Sequence, residues 1–198
     1  MFSYKQTLVK GQGIPMSGHH LVLGELVDFL TGKLLEDTHD ERLRQEVARA
    51  LVLQWGYDRQ EIRSGEKIPI ACNENRALVP LDFRIVLHRR TAMIIKYGPG
   101  SMVTRRRPAL ALSRLVAPYQ VPFVVVTNGR DAEILSGDSG RRLGEGLKAV
   151  PSKNRLLRLV AVAEWTPLTE KQIEMESRIL YAYEINGACP CDDTVCKL

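Results

Sequence analysis

Aromatic residues are scarce in this chain: Phe, Trp and Tyr together make up 6% of its 198 residues. A surface that stacks single-stranded bases along its length needs more of them, so that class of reader is excluded. No apolar run approaches the roughly 18 residues of a membrane span; the longest are of the kind Phe123-Val124-Val125-Val126. The opening residues Met1-Phe2-Ser3-Tyr4-Lys5 lack the apolar stretch of a secretory signal. Cysteine is sparse too: there are 4, and Cys189, Cys191 and Cys196 are bunched at the far end. That is not the disulfide framework of a small secreted domain. No internal repeat or low-complexity block is visible. The expectation is a soluble, cytoplasmic chain with no membrane role.

What is present is globular. Hydrophobic residues make up 44% and charged residues 26%, with a net charge of +5. The basic bias is mild, and compatible with a nucleic-acid partner. Residues 1–35 read as a lead-in that ends in a short helix from Leu21 to Leu30, stopped by Gly32. Residues 36–150 read as the core, 151–187 as a helical appendage and 188–198 as a cysteine-containing tail. Thr38 and Glu41 have capping-box spacing, opening a helix whose Leu43, Val47, Ala50 and Leu51 share one face. Ile62 to Ile70, Leu78 to Leu87 and Ala92 to Tyr97 read as strands, the first with Pro69 at an edge. Pro108 is placed as the first residue of a helix reaching to about Val116. A strand from Pro122 to Thr127 follows, then a hairpin around Ser136-Gly137-Asp138-Ser139-Gly140. Ser152 and the Thr169–Gln172 box start two further helices, the second ending near Glu184. The class is α/β, with helices on the faces of a sheet.

Several motifs fall in this order: Asp40-Glu41-Arg42-Leu43-Arg44-Gln45 opening a helix, Trp55-Gly56-Tyr57, and Pro80-Leu81-Asp82-Phe83 on a strand. Ile94-Ile95-Lys96 lies on the next strand, and a helix with Ala109 to Tyr119 leads into Pro122-Phe123-Val124-Val125-Val126-Thr127-Asn128-Gly129. Helix, three-strand meander, helix, strand is the core order of the PD-(D/E)XK, restriction-endonuclease-like fold. Over residues 36–145 the succession resembles the N-terminal nuclease-like domain of type I restriction enzyme R subunits. The resemblance implies DNA as partner and an Mg²⁺-dependent endonuclease site. In it Asp82 binds the metal, Lys96 orients the attacking water and Glu41 is an extra carboxylate. The sequence departs from the pattern at Ile94, where an acid is wanted two residues before the lysine. Mg²⁺ demands oxygen ligands, and isoleucine has none. A migrated carboxylate, Glu41 or Glu66, would have to compensate.

Each residue also has a plain structural use. Asp82 could pair with Arg84 two positions along, Lys96 could be an edge-strand charge, and the capping box alone explains Glu41. Asp82 and Lys96 can share a site only if their antiparallel pairing has an even register sum. A two-residue turn at Arg89-Arg90 would give an odd one, which only a bulge could rescue. Arg89, Arg90, Arg105, Arg106 and Arg107 are the candidate phosphate contacts. Cys189, Cys191 and Cys196 could hold Zn²⁺ or an Fe–S cluster, with Cys72, His19, His20 or a second chain as fourth ligand; a redox-sensitive tail is the plainer use. Three functions remain open: a degenerate nuclease domain that binds DNA, a live Mg²⁺-dependent endonuclease with a migrated acid, and a protein-interaction module without a nucleic-acid role.

Overall fold

The computed structural model describes residues 21–186 and 196–197. A six-strand path carries the fold, flanked by helices on both faces. The first elements are two short antiparallel strands, β1 (Glu25–Val27) and β2 (Leu34–Glu36), forming a ribbon of their own. This overturns the expected helix from Leu21 to Leu30. Asp28 Oδ1 accepts from the backbone N–H of Leu30 and Thr31, and Gly32 takes a φ of +74°. A local Asp turn outcompetes the helix, and the glycine is its left-handed residue rather than a helix stop.

Helix α1 (His39–Leu53) follows, with Thr38 Oγ1 accepting from the Glu41 N–H at 3.1 Å. The main sheet runs β3 (Ile62–Cys72), β4 (Asn75–Leu87), β5 (Arg90–Tyr97), β6 (Phe123–Thr127), β7 (Ala132–Ser136) and β8 (Arg142–Glu145), in that spatial order. Neighbours are antiparallel except β5 and β6, which are parallel and joined by helix α2 (Val103–Leu115). Pro69 does lie on an edge strand, since β3 ends the sheet. Pro108 is not a helix start: α2 begins five residues earlier and holds the proline inside its second turn. There the ring removes the one hydrogen bond that an N–H at this position would make to the Thr104 carbonyl. Helices α3 (Lys153–Ala161) and α4 (Glu170–Leu180) complete the layers, and α4 continues into a π-helical segment, Tyr181–Asn186. Both halves of the Thr169–Gln172 capping box are made. A last strand, β9 (Cys196–Lys197), pairs with Ala77 and Leu78 beyond the end of β5.

Two apolar cores sandwich the sheet. One gathers Val47, Ala48 and Leu51 of α1 and Leu156 of α3 against Phe83, Ile85, Met93 and Ile95. The other gathers Ala109 and Leu112 of α2 and Leu180 of α4 against Val79, Leu81, Ile94 and Val124. Side chains alternate along a strand, so Val79, Leu81, Phe83 and Ile85 should all share a face. They do not: the two halves of β4 serve opposite cores. The β3–β4 pairing skips one position, between Ser64–Phe83 and Glu66–Leu81. The skipped residues are Gly65, with a φ of +64°, and Asp82. A left-handed glycine bends the hairpin there, and the strand exchanges its faces at Asp82.

Candidate functional site

The β4–β5 hairpin decides whether Asp82 and Lys96 can meet. Its turn residues are His88 and Arg89, both left-handed with φ of 48° and 65°, as a two-residue hairpin of this type requires. Next to the turn, Leu87 faces Arg90, an odd sum that would separate the pair. A bulge between Ile85 and Val86 then restores the even register, with Phe83 facing Ile95. The pairing ends there, one residue short of Asp82. Asp82 uses its side chain instead: Oδ2 accepts the backbone N–H of Tyr97 at 2.8 Å.

The two side chains then diverge. Asp82 is 8% exposed, and its Oδ1 accepts from Arg44 Nε of α1 at 2.8 Å. Lys96 is 5% exposed on an inner strand, so it is no edge charge. Its Nζ donates to the carbonyl of Pro80 at 2.7 Å and stands 3.3 Å from Glu184 Oε2 in the π-helical segment. Among the described residues, no hydrogen bond or ion pair joins Lys96 to Asp82. Arg84 does not serve Asp82 either; it pairs with Glu66 at 2.6 Å, which occupies the second migrated-acid candidate.

Glu41 is brought in. Its carboxylate does not turn back to complete a capping box. Oε2 accepts from Arg44 Nη1, and Oε1 accepts from Gln45 Nε2 at 2.8 Å. Arg44 therefore bridges Glu41 and Asp82 with one guanidinium. Burial works against its charge, but Asp82 and then Glu41 more than reverse that and hold its pKa above the ordinary arginine value. Its guanidinium also lies over the Tyr97 ring, 5.8 Å from the centroid. Burial, and then the Asp40 carboxylate, push the Tyr97 phenol up to about 12. The phenol stays protonated at neutral pH and donates to Asp40 at 3.1 Å.

Gln45, 3% exposed, extends the network. Its Oε1 accepts the N–H of Phe29 at 2.7 Å, which fixes the amide orientation. Nε2 is then free to donate to Glu41 and, at 2.9 Å, to Asp28 Oδ2. Burial opposes ionisation of Asp28, but hydrogen bonds from Gln45 and Thr31 overcome it and hold its carboxyl below the usual range. These groups line a cleft of about 370 Å³ together with Lys33, Lys67 and Ser64.

The cleft is a poor host for Mg²⁺. The oxygens of Asp82 and Glu41 already accept N–H donors, and a guanidinium fills the bridging position. Ile94, completely buried in the opposite core, offers no donor. Among the described residues no group of three or more Asp, Glu, His or Cys is placed to hold a metal. Arg44, Gln45, Asp28 and Tyr97 escaped the sequence reasoning. Arg44 and Gln45 were within reach of it, since they stand three and four residues after Glu41 on one helix. Asp28 lies 17 residues from Gln45 and was not.

The arginines separate. Arg106 forms a two-pronged pair with Glu133, and Arg107 pairs with Glu176 at 2.7 Å. Arg105 packs its side chain on Gly98, where a Cβ would come within 2.7 Å of Nε; only glycine permits that approach. Arg89 sits in the β4–β5 turn, and Arg90 lies 5.2 Å over the Trp165 ring. Of the metal-tail candidates, Cys189, Cys191, His19 and His20 lie outside the described residues. The backbone of Cys196 pairs with Leu78, and Cys72 is a half-buried free thiol. Among the described residues, no helix is long and apolar enough to cross a membrane.

Neither a curated protein nor a solved structure matches the chain. A protein family does match residues 39–151, from the start of α1 to the entry of α3. By that match the chain belongs to the family described as type I restriction enzyme R protein N terminus.

Proposed function

We propose that the chain is a DNA-binding module on a restriction-endonuclease-like core whose nuclease site is degenerate. The succession of α1, three antiparallel strands, α2 and a parallel strand supports the core. The observation that carries degeneracy is Arg44, whose guanidinium occupies the place between Asp82 and Glu41 where a metal-dependent site needs its ion. Lys96, engaged by Pro80 and Glu184, is turned away from any water held at Asp82. Supporting DNA as partner are the family and the basic character of α2, where Arg105, Arg106 and Arg107 open the helix.

One observation favours a second reading. Glu41 spends its carboxylate beside Asp82 rather than on the helix cap, as a migrated acid in a live endonuclease would. A single experiment separates the readings: a labelled duplex titrated at several salt concentrations, in EDTA and in Mg²⁺, with the DNA then examined for cleavage. Salt-dependent binding without cleavage is the expected result. Mg²⁺-dependent cleavage would establish the second reading, and no binding at any salt would leave a protein-interaction module.

A further inference from the structure

The family implies a divalent cation at Asp82, and the residues present do not fit one; that disagreement has a consequence of its own. Two carboxylates from different elements, Asp82 of β4 and Glu41 of α1, converge inside the fold, Asp82 being 8% exposed. Like charges brought onto one cation repel each other once that cation is taken away. We infer that Arg44 is that cation. It is a permanent, covalently supplied counter-ion that makes the junction of α1 and β4 independent of divalent metal, and its guanidinium excludes metal from the pair.

The geometry suits a guanidinium. Nε reaches Asp82 Oδ1 at 2.8 Å while Nη1 reaches Glu41 Oε2, so neighbouring nitrogens of one planar fork serve two separate carboxylates. A lysine offers a single point charge and could not span the pair in the same way. The ring of Tyr97 supports the fork from one side, and Tyr97 also donates its N–H to the other oxygen of Asp82. Orientation is therefore set before any ligand arrives. Among the oxygens of Asp82, Glu41 and Asp28, none belongs to the buried side-chain atoms that lack a hydrogen-bond partner. A pair this well satisfied gains little from Mg²⁺, which would have to displace the guanidinium and surrender tightly held waters of its own.

This inference rests on the degenerate-site reading, and its test reads metal response rather than DNA. Thermal unfolding of the wild-type chain is expected to be the same in EDTA, Mg²⁺ and Mn²⁺ at matched ionic strength. Arg44→Ala should lower the midpoint by about 10 °C in EDTA, because a buried and a half-buried carboxylate then face each other uncompensated. Mn²⁺ or Mg²⁺ should restore about 5 °C of it, by binding the folded form alone. The double variant Glu41→Gln with Arg44→Ala, having one carboxylate fewer, should lose that restoration.

Mn²⁺ binding followed by electron paramagnetic resonance gives the same reading without a folding transition, and it applies to the wild type even if Arg44→Ala does not fold. Wild type should leave Mn²⁺ free at concentrations that Arg44→Ala binds. Wild-type stabilisation or Mn²⁺ binding abolished by Asp82→Asn would overturn the inference and the degenerate-site reading together. An Arg44→Ala protein that folds but ignores divalent ions would overturn the inference alone and leave the DNA-binding reading standing.

Discussion

Arginine and carboxylate are combined in different proportions on the two sides of the sheet. On the α1 side one guanidinium, Arg44, serves two carboxylates, Glu41 and Asp82. On the α2 side the ratio is inverted once and balanced once. Glu176 is shared by Arg107 and Arg114, while Glu133 and Glu145 together serve Arg106 and Arg142. The first cluster is left with surplus negative charge, the Glu176 cluster with surplus positive charge, and the Glu133 cluster is balanced. The difference separates two tasks that the residue types alone do not distinguish. Near α1 the arginine is the scarce partner and acts as an internal counter-ion. Near α2 the carboxylates anchor Arg106 and Arg107, whose partly exposed side chains can face an anion, as the proposed contact with duplex phosphates requires.

The comparison breaks most sharply at Asp82. Asp82→Ala leaves the Tyr97 N–H without its acceptor and removes one of Arg44's two carboxylates. A loss of about 3–4 kcal/mol is expected in urea unfolding, with the slope unchanged. Glu41→Gln keeps an acceptor for Arg44 but turns its amide NH2 towards the Gln45 Nε2 donor, so about 2 kcal/mol is expected in the same measurement. Equal losses would mean that Arg44 does not couple the two carboxylates in the way the geometry implies.

On the α2 side the effect is expected in the acid range. Burial alone would raise the pKa of Glu176, but Arg107 and Arg114 more than reverse it and hold the carboxyl below its ordinary value of 4.5. A carboxylate whose folded pKa is lowered contributes stability that is complete above its unfolded pKa. That stability is lost as pH falls through the lowered folded value. Glu176→Gln should therefore be less stable than wild type at neutral pH and should lose less stability as pH falls below the ordinary value of 4.5. Stability curves of wild type and variant that stay parallel across that window would remove the two arginines as the cause.

Binding sharpens the contrast further. Arg106 and Arg107 are held by carboxylates, whereas Arg105 is held by packing on Gly98. If the α2 arginines meet phosphates, Arg105→Ala should flatten the log–log salt slope by about 0.9, the value for one duplex contact. Replacing Arg105, Arg106 and Arg107 together should flatten it further and weaken all duplex sequences alike. Equal slopes for wild type and triple variant would take these arginines off the binding surface. The smallest effect belongs to an exposed pair on α4 that takes no part in these clusters. Arg178→Ala, which removes the i,i+4 contact with Glu174, should stay within about 0.5 kcal/mol of wild type.

Much of the core was legible because its signals are local. The strand periods of β4 and β5, the caps at Thr38 and Thr169, and the glycine-rich turn between β7 and β8 each depend on residues a few positions apart. The failures were also local. Leu21 to Leu30 carries a helical-looking pattern, but the Asp28 turn draws the backbone into the ribbon of β1 and β2. Proline suits a helix start, which is what Pro108 suggests, yet the preceding Val103 to Arg107 already turns as helix.

The sequence by itself determined the α/β order, the family resemblance and the absence of an acid at Ile94, since these depend on residue type and spacing. It also required an even register for Asp82 and Lys96, and the bulge at Ile85–Val86 supplies one. Only the tertiary structure decided that this register does not bring them together. The strand exchanges its faces at Gly65 and Asp82, sending the aspartate to Arg44 of α1 and leaving the lysine with Glu184 across the sheet. Period-two alternation predicts which residues share a face only while the strand stays regular, and a bend depends on what packs on both sides of it. Arg44 is 38 residues from Asp82 in the chain. Their pairing follows from where α1 docks, and the docking of α1 follows from the burial of Val47, Ala48 and Leu51 against the sheet.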